Sequence, residues 1–198
     1  MKTLDPSLRR TDTSVEKLVT YGAEILRWNK RINLTGAKTM EQFVTGPLFD
    51  ALTCIPTLAR SGTLVDIGSG GGLPGIPAAI LIPEMGVTLV EPRAKRASFL
   101  RHAVHLLDLE VEVIASRDDD LGGRTWNGAV AQAVWPVGEW LPRAANVVAP
   151  GGTIHTLTTD PVEESALPKG MKIEEQRHLV RPSDKANRYS ARIRFHLE

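Results

Sequence analysis

The stretch Leu64-Val65-Asp66-Ile67-Gly68-Ser69-Gly70-Gly71-Gly72-Leu73-Pro74-Gly75-Ile76-Pro77 decides how this chain is read. A short apolar run passes into a glycine-rich turn, and an apolar helical pattern follows. Glycines in such a turn admit positive φ and let a ligand approach the backbone closely. A strand, glycine loop and helix in this order place a nucleotide-like ligand at the carboxyl end of a parallel strand, beside the point where the strand order reverses.

Working outward, short apolar runs alternate with helical patterns. Strands are expected over 64–67, 87–91, 111–116, 129–134 and 153–157, and helices over 75–82, 93–107 and 137–148. This alternation predicts an α/β fold built from parallel βαβ units with right-handed crossovers. Two later runs, 172–180 and 191–197, have no helix pattern between them and are expected to pair antiparallel at the sheet edge. The first 62 residues read differently, as helices. Val15, Leu18, Val19, Ile25, Leu26 and Ile32 recur at helical spacing behind a capping box at Thr13 and Glu16, with a stop near 33–36. Thr39 and Gln42 can cap a second helix, which Pro47 should break or restart. The expected organisation is a helical extension over 1–62 packed on a core domain over 63–198.

Composition limits the function classes. The chain has 198 residues, 42 % of them hydrophobic, enough for one domain with a substantial core. Lys plus Arg number 24 against 23 acids, so any nucleic-acid binding must come from local clusters rather than net charge. A single cysteine, Cys54, excludes an intramolecular disulfide and a cysteine-built zinc site; it reads as a small buried apolar residue. Residues 1–10 are polar without a signal-like core, and no apolar run approaches the ~20 residues of a membrane span. A monomer in the cytoplasm, with no membrane contact, is expected.

Two ligands compete for the glycine loop. Gly70, Gly72 and Gly75 satisfy the dinucleotide pattern GxGxxG, a weak match in so glycine-rich a loop. Gly68, Gly70 and Gly72 satisfy GxGxG with an acid, Asp66, two residues ahead. That form resembles the first motif of class I S-adenosylmethionine methyltransferases. The methyl donor has no pyrophosphate but carries a sulfonium and an ammonium, so a carboxylate near the loop suits it. Pro74 and Pro77 near the helix start also remove amides that a phosphate would want. The candidate donor-binding residues of this loop are Asp66, Gly68, Ser69, Gly70 and Leu73. Glu91, closing the second strand, can accept both ribose hydroxyls. Asp118 or Asp119, after the third strand, can accept from the adenine amine, or simply serve a helix start. Gln132 ends the fourth strand and faces the same crevice.

Four further stretches carry a resemblance to a family. Trp28-Asn29-Lys30-Arg31-Ile32-Asn33-Leu34-Thr35, the loop from Asp66 to Pro77 with its LPGIP ending, Lys95-Arg96-Ala97-Ser98-Phe99-Leu100 and Ser116-Arg117 resemble, in order, signatures of the bacterial 16S ribosomal RNA guanine-N7 methyltransferases (RsmG, or glucose-inhibited division protein B). The resemblance implies a class I methyltransferase fold with an N-terminal helical extension, S-adenosylmethionine as cofactor, and a guanine of small-subunit ribosomal RNA or the 30S subunit as target. The chain departs from the family pattern at Thr45 to Asp50. It departs again at Gln132 and at Thr158, where the family usually keeps cations. Those neutral residues leave room for a methyltransferase with another substrate, or for a donor-binding protein whose activity has decayed.

Local charge supports RNA. Residues 25–40 carry Arg27, Lys30, Arg31 and Lys38 without an acid, and residues 93–105 carry Arg93, Lys95, Arg96 and Arg101. Lys30, Arg31, Asn33, Arg93, Lys95, Arg96 and Arg117 are the candidate RNA-binding residues, and Arg177, Arg181, Lys185, Arg188, Arg192 and Arg194 form a third basic group. Trp28 and Trp135 can stack on bases or simply pack. A guanine N7 already offers a lone pair, so no general base is expected, and the scattered histidines give no metal or catalytic pattern.

Overall fold

The computed structural model describes residues 11–58 and 62–196. The readings made on residues 1–10 and on Leu197 lie outside them. Among the described residues seven strands form one sheet in the order β3-β2-β1-β4-β5-β7-β6. They are β1 (Thr63–Ile67), β2 (Gly86–Val90), β3 (Val111–Ile114), β4 (Trp126–Ala131), β5 (Val148–Thr158), β6 (Met171–Val180) and β7 (Asn187–Phe195). The first five are parallel; β7 runs antiparallel to both β5 and β6, so it alone is reversed. The expected antiparallel pair is present, with β7 inside and β6 at the edge. Burial follows position. Residues 64–67 of the central β1 are all buried, whereas β6 alternates half-buried and exposed along its length.

Each face of the sheet carries an apolar core. On one side α4 (Gly75–Leu81) and α5 (Ala94–Leu106) bury Ile76, Phe99 and Leu100 together with Tyr21 and Ile25 of α1 (Asp12–Asn29). On the other, α6 (Val137–Ala145) buries Trp140 and Leu141 against Val65, Ile67, Ile154 and Ile193. The N-terminal helices therefore share the core of the sheet's first face.

Several local expectations are corrected. The capping box of α1 is Thr11 with Ser14: each side-chain oxygen accepts from the other's backbone N–H at 3.1 Å. A serine hydroxyl at the third helical position can play the part expected of Glu16. The helix ends at Asn29, not near 33–36, because the Asn29 carboxamide captures the chain that follows. Its Oδ1 accepts from Leu34 N–H at 2.8 Å, and its Nδ2 donates to the Thr35 carbonyl at 2.8 Å. Val15 and Val19 are exposed rather than core; Tyr21, Gly22 and Ile25 make the packing. Gly22 leaves room for Met40, whose sulfur would lie 2.9 Å from an added Cβ.

Thr39 does cap α2 (Met40–Phe43), accepting from Gln42 N–H. Pro47 breaks nothing: it sits in a π-helical turn, Val44–Leu48, that leads straight into α3 (Phe49–Cys54). The wider turn accommodates a residue without an N–H. The fourth strand lies earlier than expected and stops at Ala131, because Ala133 adopts φ +56° and turns the chain across the sheet end. The fifth begins at Val148, through Pro150 and Gly151, with a register shift against β4.

Candidate functional site

Strand order reverses between β1 and β4, and a cavity of about 460 Å³ opens beyond the carboxyl ends of β1, β2 and β4. Its lining comes from Gly68 to Gly71 and Leu73 after β1, Glu91 to Arg93 after β2, Gln132 to Val134 after β4, and Arg96 of α5. Leu34, Thr35 and Pro47 close it from the N-terminal helices. Sequence reasoning missed these three as cavity walls, although Leu34 and Thr35 lie inside a quoted signature.

The glycine loop is held from below and behind. Gly68 and Ser69 N–H donate to the Val90 carbonyl, tying β1's end to β2's. The Ser69 hydroxyl donates to the Asp66 carbonyl at 2.7 Å and accepts from Val90 N–H at 3.1 Å. Gly68 (φ +71°) and Gly70 (φ +56°) use the left-handed region, and a Cβ on Gly68 would meet Val134 at 2.8 Å. Asp66 is fully buried beneath the loop and does not line the cavity. Its Oδ2 accepts from Gly75 N–H at 3.0 Å, fixing the start of α4, while Oδ1 has no partner among the described residues. Burial pushes this carboxyl up to about 8, with the Glu91 charge adding to the effect.

Glu91 is 3 % exposed, and each of its oxygens holds a backbone amide. Oε2 accepts from Gly70 N–H at 2.9 Å and Oε1 from Arg93 N–H at 2.8 Å. A carboxylate retains further lone pairs after two such bonds. Gln132, just past β4, has a buried Oε1 without a donor among the described residues. Asp118 and Asp119 lie outside the cavity: Asp118 pairs with Arg143 at 2.7 Å and Asp119 with Arg117, in a short 3-10 turn. They are first-turn acids of that short turn, whose start has no side-chain cap hydrogen bond.

Five of the seven candidate RNA residues divide between two places, while Asn33 and Arg117 line neither, Arg117 pairing with Asp119. Arg93 and Arg96 line the cavity just described. Lys30, Arg31 and Lys95 line a second one. A hydrogen bond joins the two signatures, from the Arg96 guanidinium to the Asn33 carbonyl at 2.6 Å. Trp28 packs edge-on against Phe99, with ring centroids 5.6 Å apart. Tyr21, which the sequence reading used for no site, donates its hydroxyl to the Gly71 carbonyl at 2.6 Å and so anchors the loop to α1.

The third basic group is corrected: most of it is neutralised by neighbours. Arg181 and Arg188 both pair with the buried Asp50, while Arg192 and Arg194 pair with Glu174, and Arg177 with Glu175. Antiparallel register brings Arg192 and Arg194 of β7 to Glu174 of β6, and the packing of α3 brings Asp50 to Arg181 and Arg188, contacts that spacing along the chain conceals. Trp135 stacks on Trp140 and lies under Arg143. Cys54 is buried as expected, its thiol pushed up to about 12 by burial and nearby carboxylates. Among the described residues no group of three or more histidine, cysteine or acidic side chains could hold a metal ion.

A mostly parallel sheet in the order 3-2-1-4-5-7-6, with only its seventh strand reversed and a glycine loop at the switch point, is the class I methyltransferase fold. Solved structures with this fold include a mutant of MtNAS in complex with S-adenosylmethionine (TM-score 0.61, 17 % identity, covering 92 % of this chain and 73 % of that one). Another is TrmN from Thermus thermophilus (TM-score 0.59, 18 % identity, 79 % of this chain and 53 % of that one).

The model of the family described as rRNA small subunit methyltransferase G matches residues 14–188. Ribosomal RNA small subunit methyltransferase G of Xanthomonas euvesicatoria is 36 % identical over 181 residues, 89 % of this chain and 85 % of the relative. That of Chromobacterium violaceum is 32 % identical over 191 residues, 94 % and 91 %. The chain belongs to this family, and it is an S-adenosylmethionine-dependent methyltransferase.

The cavity fits that cofactor. Its volume lies in the ~300–1,000 Å³ range of small-molecule sites. It offers loop backbone, the pre-positioned Glu91 carboxylate, and in Gln132 Oε1 an acceptor that lacks a donor among the described residues.

Proposed function

We propose that this protein transfers a methyl group to N7 of a guanine in small-subunit ribosomal RNA. The observation that carries the reading is the meeting of the two signatures at Arg96 and Asn33. It sets the cavity that suits the donor beside a surface bearing Lys30, Arg31 and Lys95, which have no ion pair among the described residues. Gly68, Ser69, Gly70 and Leu73 shape the donor's seat, Asp66 fixes the loop from beneath, and Glu91 takes the ribose hydroxyls. The bound donor supplies an electrophilic methyl: the N7–C bond forms as the C–S bond breaks, and the bonding pair leaves on sulfur. N7 loses no proton, so the residues align the reactants and exclude water rather than act as acid or base. Leu34, Thr35 and Pro47 form the wall that keeps water from the reacting atoms.

Lys30, Arg31, Lys95, Arg93 and Arg96 meet RNA phosphates in this reading, and the protein acts as a cytoplasmic monomer. Among the described residues no helix is long and apolar enough to cross a membrane. One observation favours a second reading, the same chemistry on a different base or RNA: the neutral Gln132 stands in the crevice where the family usually keeps a cation. The test is tritiated methyl transfer to 30S subunits from a strain lacking its own guanine-N7 enzyme, followed by nucleoside analysis. Label in 7-methylguanosine supports the first reading, label in another nucleoside supports the second, and no label refutes both.

A further inference from the structure

A cavity of about 550 Å³, distinct from the donor site, lies where the end of α1 meets α5. The two cavities have no lining residue in common. One wall is apolar, from Trp28 and Ile32; the rim carries Lys30, Arg31 and Lys95, and no acid lines it. The charge of the adjoining Arg27 is met by Glu24 at 2.6 Å. Lys30, Arg31 and Lys95 have no ion pair among the described residues. The Trp28 indole N–H is buried there and finds no acceptor among those residues.

Three free cations around an apolar wall match a group that is anionic on one side and flat and apolar on another. A nucleotide freed from base stacking has that character. A duplex does not, since it offers phosphates while its bases stay inside. We infer that this cavity holds an unpaired nucleotide of the RNA substrate, its base against Trp28 and Ile32 and its phosphates among Lys30, Arg31 and Lys95. The inference rests on the RNA reading above. Because the target guanine must enter the donor cavity, the nucleotide held here is a neighbour of the target.

The probe is a short single-stranded RNA containing 2-aminopurine, compared with the same sequence as a duplex, titrated against the full chain. The single strand should bind more tightly than the duplex, and its fluorescence should fall as the base leaves solvent and stacks. Ile32→Trp fills the cavity but keeps every cation: the fluorescence change should disappear while the salt dependence of binding persists. Ser98→Glu, at an exposed helical position on the rim, should weaken single-strand binding severalfold. Unchanged S-adenosylhomocysteine affinity in both variants shows that they are folded.

Equal affinity for duplex and single strand, or a fluorescence change that survives Ile32→Trp, would overturn the inference and leave a plain phosphate-binding face. Displacement of the strand by free AMP or GMP at concentrations matching the oligonucleotide would overturn it in favour of a free-nucleotide site. Methyl transfer measured on the same proteins separates the two claims. Transfer without the fluorescence change sinks the cavity assignment alone. The fluorescence change without transfer to any ribosomal RNA sinks the methylation reading.

Discussion

The Arg96 guanidinium donates to the main-chain carbonyl of Asn33 across 63 positions of sequence, at 2.6 Å. The same side chain lines the donor cavity, and a Cβ on Gly70 would sit 3.7 Å from its Nη1. Arg96 is thus one of the contacts, beside the Tyr21 hydroxyl on the Gly71 carbonyl, that tie the N-terminal helices to the glycine loop. Arg96→Ala should weaken both S-adenosylhomocysteine and RNA binding, whereas Lys95→Ala should weaken RNA binding alone and lower its salt slope by about one unit. Isothermal calorimetry for the nucleoside and salt-dependent RNA titrations check this. A donor affinity indifferent to Arg96 would remove its bridging role.

Glu91 is fixed by two backbone amides before any ligand arrives. Glu91→Gln must present its NH₂ to one of those N–H donors, so the loop shifts as well as losing charge. Donor affinity should fall by roughly 1–3 kcal/mol, the usual loss when a charged hydrogen-bonding partner is removed. Calorimetry with S-adenosylhomocysteine measures it, and RNA affinity in the absence of donor should stay unchanged.

The buried clamp on Asp50 fastens α3 to β7 and to the residue after β6 through Arg188 and Arg181. Asp50→Ala strands the guanidinium of Arg188, only 9 % exposed, while Arg181 keeps Asp184 at 3.0 Å. Breaking a buried pair in this way costs about 3–5 kcal/mol. Denaturant unfolding should show that loss. A change confined to a few tenths of a kcal/mol would mean that the arginines find solvent instead.

Two buried groups give stability opposite dependences on pH. Asp66 is raised by burial from the ordinary 3.8 to about 8, so the fold keeps a proton that the unfolded chain releases. Its contribution is present below 3.8 and lost as pH rises through 8. His155 is lowered by burial, and by Arg192 and Arg194, from 6.5 to about 3. Its contribution is present above 6.5 and lost as pH falls through 3. Between 3.8 and 6.5 the two trends oppose each other, and between 6.5 and 8 only the Asp66 loss remains. Asp66→Asn keeps an oxygen for Gly75 N–H but does not titrate. Unfolding measured at pH 6.5 and at pH 8 should show the wild type losing stability and the variant holding level.

Gln132 and Thr158 separate in space despite their shared departure from the family pattern. Gln132 lines the donor cavity, while Thr158 at the end of β5 donates its hydroxyl to the Asp160 carbonyl at 2.6 Å and does not line it. Gln132→Arg should therefore change methyl transfer to 30S subunits by itself, and adding Thr158→Lys should change it little further. Misplacement of reactants can cost ~10²-fold in rate, so the effect belongs in turnover rather than in donor affinity. A double variant whose rate far exceeds that of Gln132→Arg would show that Thr158 also faces the substrate.

The order of apolar runs and helical patterns was sufficient for the parallel sheet. Burial on both faces demands unbroken apolar strands, and this chemistry is written locally, as in Leu64 to Ile67. The glycine loop and Glu91 were readable for the same reason: positive φ and a strand-end acid are properties of single positions. Local readings failed where a distant partner decided the outcome. Asn29 ended α1 by capturing residues 34 to 37, and a π turn absorbed Pro47. Asp118 turned to Arg143, and the C-terminal arginines were neutralised by Asp50, Glu174 and Glu175. Charge along a chain counts residues, but free charge depends on which side chains the fold brings within reach. Only the tertiary structure leaves Lys30, Arg31 and Lys95 around one cavity without an ion pair among the described residues. It likewise makes Leu34, Thr35 and Pro47 walls of the cavity beyond β1, β2 and β4.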